Sequence, residues 1–84
     1  MLGERHPDTI DSMAYFATTY YQRGRWKEAG GMEVDVLTLR KEVLGERHPD
    51  TIDSMASLAA TYYQQGQSKE AEDLEALMAN MDIS

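Results

Sequence analysis

Apolar residues recur along this chain at intervals of three and four. Ile10, Met13, Ala17 and Tyr20 form one series and Ile52, Met55, Ala59 and Tyr62 another, with Asp, Ser, Thr and Gln between them. On a helix of 3.6 residues per turn that spacing makes one apolar stripe, so each half of the chain is predicted to begin with a helix A. The His-Pro-Asp-Thr segments that begin at His6 and His48 mark the helix starts. Proline has no amide to lose in a first turn, and Asp8 and Asp50, followed three residues on by Asp11 and Asp53, put negative charge at the positive end of the helix dipole. Asp8 and Asp50 are also expected to accept from the free first-turn amides, so that replacing either with Ala costs about 1 kcal/mol. Gly24 and Gly66 are the expected stops, since glycine takes the left-handed conformation that closes a helix.

A second helix follows each stop. In the first half it is predicted from about Trp26 to Val43, with Trp26, Ala29, Met32, Val36, Leu39 and Val43 on one side. In the second half it runs from about Ser68 to Met81, with Ala71, Leu74, Leu77, Met78 and Met81 as its stripe. Short connections make neighbouring helices antiparallel, giving the order A1, B1, A2, B2.

The two halves are copies. Leu-Gly-Glu-Arg-His-Pro-Asp-Thr-Ile-Asp-Ser-Met-Ala runs from Leu2 to Ala14 and again from Leu44 to Ala56, and 23 of 41 aligned positions are identical at an offset of 42. Periods of this size belong to stacked helical units. The chain is therefore predicted to be one all-α domain, 1–84, built of two stacked helix-turn-helix hairpins, repeat one 2–43 and repeat two 44–84.

Composition narrows the choice of partners. A net charge of −7 with no Lys/Arg cluster works against nucleic-acid binding, which draws its affinity from neutralised phosphates. Zero cysteines remove disulfides and thiolate metal sites. No run of about 18 apolar residues and no signal-peptide pattern is present, which points to a soluble, cytoplasmic protein with no membrane partner.

The residues resemble the tetratricopeptide repeat in its longer, 42-residue form, as found in kinesin light chains and in the C-terminal arrays of fungal NLR-like NACHT or NB-ARC proteins. The resemblance rests on Leu44-Gly45-Glu46-Arg47-His48-Pro49-Asp50-Thr51, Ser54-Met55-Ala56-Ser57-Leu58-Ala59, Tyr62-Tyr63-Gln64-Gln65-Gly66 and Lys69-Glu70-Ala71-Glu72. Repeat one departs from it at Gly30-Gly31 and at Tyr15, and the last ten residues drift away as the closing helix of an array would. The resemblance implies a right-handed solenoid whose concave wall is lined by the A helices. By position that wall would comprise Asp11, Ala14, Thr18, Tyr21 and Gln22, then Asp53, Ala56, Ala60, Tyr63 and Gln64. Met13, Phe16, Ala17, Tyr20 and Ala29, with Met55, Leu58, Ala59, Tyr62 and Ala71, would be core.

No constellation points to catalysis. Each loop offers a single imidazole, His6 or His48, where a zinc site needs three or four converging ligands. Ser12 and Ser54 lie near His and Asp in sequence but across a helix start, with no oxyanion hole, and no glycine run is followed by Lys-Ser/Thr. The expectation is a non-enzymatic interaction module with no cofactor and no metal, holding a protein or peptide in a short concave groove. Asp11 and Asp53 in the wall favour a basic or neutral peptide. The alternative is a self-assembly unit. Tyr15 and Phe16 stand where repeat two has Ser57 and Leu58, on a helix A1 with no helix before it, and are expected to drive a symmetric homodimer. Gly30 and Gly31 are expected to weaken helix B1, with a hinge for hairpin swapping as the alternative reading, and replacing both with Glu is expected to stabilise it.

Overall fold

The computed structural model describes residues 7–83. They form four α-helices: α1 (Pro7–Gln22), α2 (Trp26–Leu44), α3 (Pro49–Gln64) and α4 (Ser68–Ile83). These are helices A1, B1, A2 and B2 of the sequence pattern, and there is no strand among the described residues.

Both A helices close in the same way. Gly24 and Gly66 have φ of 76° and 78°. The Gly24 amide donates to the Tyr21 carbonyl at 3.0 Å and the Arg25 amide to Tyr20 at 2.9 Å; Gly66 donates to Tyr63 at 3.1 Å and Gln67 to Tyr62 at 2.8 Å. This pair of bonds satisfies carbonyls at the helix end and requires a left-handed residue between them. The chain then turns directly into the next helix, and the Arg25 guanidinium lies 5.1 Å from the Tyr20 ring centroid, bracing the first turn.

The start of α3 corrects one expectation. The acceptor there is the Nδ1 atom of His48, which receives the Asp50 amide at 3.0 Å, with His48 in an extended conformation and Pro49 opening the helix. Asp50 already lies inside the first turn, where its own amide is the donor to His48. The capping geometry belongs to the residue before the helix. His6, the counterpart in repeat one, lies outside the described residues.

Each helix packs mainly on the next, α1 on α2, α2 on α3 and α3 on α4. The Cα atoms fill a slab of 39 × 35 × 14 Å, its depth less than two helix diameters, so every helix keeps an open side. The core is correspondingly small. Ala17 and Ala29 in the first hairpin, and Ala59 and Ala71 in the second, are buried and let the paired helices approach closely. Leu37, Met55 and Leu58 form the cluster between hairpins, with Tyr62, Leu74, Met78 and Met81 packed against it.

Helix α2 lies between α1 and α3 and so buries two stripes. Ala29 and Val36 are buried as the pattern predicts, but so are Gly30, Glu33 and Leu37. Val43, assigned to the stripe from sequence, is exposed, as is Leu77 in α4. A single-stripe template allows for one neighbour, and α2 has two.

The two adjacent glycines behave differently. Gly31 faces open space, whereas a methyl group on Gly30 would lie 3.2 Å from Gln65 Oε1 and 3.4 Å from Thr61 Cγ2. Gly30 is a close-packing residue against α3, and a glutamate there would enter the interface. The expected gain from replacing both glycines therefore belongs to Gly31 alone. Helix α2 continues unbroken through both.

Phe16 also departs from its core assignment, at 55% exposure, while Leu58 at the same place in repeat two is 3% exposed. Leu58 is covered by α2. Among the described residues nothing lies against α1 on that side.

Candidate functional site: a groove between helices α1 and α3

Helices α1 and α3 stand side by side with α2 as the floor between them, leaving two adjoining cavities of about 160 and 170 Å³. Ala14, Thr18 and Tyr21 of α1 and Asp53, Ser57 and Ala60 of α3 form the walls, and Val36, Arg40 and Glu33 come up from α2. Five of the ten groove residues expected from the resemblance, Ala14, Thr18, Tyr21, Asp53 and Ala60, are thus brought together. Small side chains face one another across the slot, which keeps it open to an extended chain or to one long side chain. Gln22 and Ala56 are exposed but do not line either cavity.

The remaining expected residues have other roles. The Gln64 side-chain amide reaches the Tyr21 hydroxyl at 3.5 Å, a long contact linking α1 and α3. Tyr63 turns towards α4 and donates to Glu75 Oε1 at 2.6 Å. That bond, first, and desolvation, second, push the phenol up to about 12. Asp11 accepts from Arg40 at 3.0 Å, and Arg40 also donates to Ser54 Oγ at 2.7 Å. Ser54 in turn donates to the Asp50 carbonyl at 3.0 Å. This chain of bonds ties α1, α2 and α3 together at one end of the groove. Asp11 is therefore committed to an internal cation, and Asp53 is the expected wall carboxylate that remains available.

Glu33, Val36, Arg40 and Ser57 line the groove although the sequence did not mark them as site residues, and Glu33 is the one that brings a buried acid. It is 6% exposed, lines both cavities, and its Oε1 accepts from the Thr61 hydroxyl at 2.5 Å. Burial raises its carboxyl to about 7, while the Thr61 hydrogen bond pulls the other way. Its spacing of three from Gly30 and four from Leu37 puts the three residues on one helix face, but with a glycine and an acid among them the pattern does not mark that face as inward. Glu75 occupies the same place in repeat two and takes the Tyr63 hydroxyl of its own hairpin. Glu33, which has a helix beyond it, turns instead to the next hairpin.

Nothing in this arrangement assembles a nucleophile and a base. The hydroxyl of Ser12 donates to the Asp8 carbonyl at 3.0 Å, Ser54 is occupied as above, and His48 caps a helix. No cluster of three potential metal ligands occurs among the described residues, and no described helix is long and apolar enough to cross a membrane.

Antiparallel helices packed in chain order, in two copies of one hairpin with an open groove between the first helices of each, define a helical-repeat scaffold. Two family models for the tetratricopeptide repeat match, one over residues 9–50 and the other over residues 35–76. The chain belongs to the tetratricopeptide-repeat family, whose members serve as non-enzymatic scaffolds and generally mediate protein–protein interaction. Among curated proteins no match is found.

Proposed function

We propose that the groove between α1 and α3 holds an extended segment of a partner protein through a lysine or arginine side chain directed at Glu33 and Asp53. The observation that carries this reading is Glu33: a buried carboxylate shared by both cavities, whose only hydrogen-bond partner among the described residues is Thr61. An entering ammonium or guanidinium would supply the counter-charge that burial withholds, while Thr18 and Ser57 offer hydroxyls and Tyr21 a ring face. Only one cation, Arg40, lies in the lining, and it is already paired with Asp11. With two repeats the groove is short and the affinity modest, in the micromolar range or weaker. Titration with lysine-containing, neutral and glutamate-rich peptides of equal length tests the reading. Tightest binding is expected for the first set, and a preference for the acidic set would overturn it.

The period of 42 and the Leu-Gly-Glu-Arg-His-Pro-Asp-Thr segment support placing the chain in the longer, kinesin-light-chain-like form of the repeat. Self-association is a second reading with its own support. Tyr15 and Phe16 are 70% and 55% exposed and stack edge to face at 6.0 Å, an aromatic surface open on α1.

A further inference from the structure

We infer that the outer face of α4 is the docking surface for the outer face of α1 of a second copy of this chain, so that molecules associate head to tail. The contact between α2 and α3 supplies the template. Gly30, Glu33 and Leu37 of α2 are buried there, while their counterparts 42 positions on, Glu72, Glu75 and Ala79 of α4, are exposed. On the other side Ser54, Leu58 and Thr61 of α3 are buried, whereas Ser12 and Phe16 of α1 are exposed and Thr19 is half-buried. The two open faces are thus the two halves of an interface the molecule already contains once.

Where the residues differ between template and open faces, they differ in compensating ways. In the template Gly30 lies against Gln65 and Thr61. At the corresponding contact Glu72 is too large for that close approach, so the α4 and α1 faces would meet farther apart than α2 and α3 do, with Glu72 of one copy reaching Arg23 of the next as an ion pair at the rim. Leu37 packs with Met55 and Leu58; the corresponding set is Ala79 with Met13 and Phe16, a smaller residue on one side and a larger one on the other. Glu33 accepts from Thr61, and Glu75 would keep its bond from Tyr63 on one oxygen and offer the other to Thr19. A face that is acidic on α4 and carries Arg23 on α1 also disfavours α4 meeting α4.

Such a contact joins two different surfaces, so it propagates or closes into a ring instead of stopping at a twofold dimer. It involves neither cavity of the groove, so it stands or falls independently of the peptide reading. Sedimentation over a hundredfold concentration range, on the wild type, Phe16→Asp, Ala79→Asp and an equimolar mixture of the two variants, tests it. Helical circular dichroism and melting serve as the folding controls, since both positions are exposed. The expected result is concentration-dependent growth of the wild type, at least tenfold weaker association for each variant alone, and a mixed dimer of limited size when the two are combined, because one intact face from each remains. A wild type that stays monomeric would overturn the inference. So would association lost in Phe16→Asp but unchanged in Ala79→Asp, with no mixed dimer, since that pattern marks a symmetric α1 contact.

Discussion

A carboxylate that is 6% exposed costs free energy whenever it is charged, and Glu33 bears that cost on behalf of the groove. Its folded-state value of about 7 lies above the ordinary 4.5 because burial favours the neutral form. Its contribution to stability is therefore fully present below about pH 4.5 and is lost as pH rises through 7. Glu33→Gln keeps an acceptor for Thr61 and removes the charge. Relative to the wild type it is expected to gain on the order of 1 kcal/mol at pH 8, an amount reduced by water in the groove, and nearly nothing at pH 4. Chemical denaturation at the two pH values checks this, and equal effects at both would show that Glu33 is not held protonated by its surroundings. Capping gives a second expectation at this scale. His48→Ala removes the acceptor for the Asp50 amide and is expected to cost about 1 kcal/mol, whereas Asp50→Ala loses only a charge near the helix start, about 0.5 kcal/mol. A larger effect at Asp50, read from the two midpoints, would place the cap on the carboxylate after all.

At the scale of the helix, α2 explains both what the sequence disclosed and what it concealed. The helix limits were legible because glycine stops, proline starts and the 3.6-residue period act locally; Gly24, Gly66 and Pro49 stand where those rules put them. The second buried stripe was not, because a glycine and a glutamate do not register as apolar and only the presence of α3 makes them interior. The same cause hid the site. Five wall residues on α1 and α3, Ala14, Thr18, Tyr21, Asp53 and Ala60, were implied by the family resemblance, but Ser57 was not, and Glu33 and Arg40 on the floor depend on how α2 sits beneath two other helices. The glycine pair tests this account of α2 directly. Gly31→Ala is expected to stabilise by up to about 1 kcal/mol, as for any open position in a helix interior, while Gly30→Glu is expected to destabilise by crowding Gln65 and Thr61. Thermal melts of the two single variants suffice, and equal stabilisation by both would mean that α2 and α3 do not approach closely at Gly30.

At the scale of the whole molecule, a slab 14 Å deep has little interior to spare. Its stability rests on a few side chains between hairpins, Leu37, Met55 and Leu58 above all, and on fully buried alanines within them. Such a shape leaves the groove and the outer faces of α1 and α4 open, so the proposed peptide contact and the proposed self-contact fall on separate surfaces of one fold. Repetition makes the comparison internal: Leu58 is covered and Phe16 is not, Glu33 reaches across to the next hairpin and Glu75 does not. The groove nonetheless remains the feature on which the functional reading depends, and calorimetric titration of an extended lysine-containing peptide into wild type and Glu33→Gln at pH 6 and pH 8 tests it most directly. A cation favours ionised Glu33, so wild-type affinity is expected to rise several-fold from pH 6 to pH 8, while the variant binds more weakly with a flat pH response. Binding of equal strength in both proteins at both pH values would contradict a role for Glu33 in holding the cation, and absence of binding by either would contradict the groove itself.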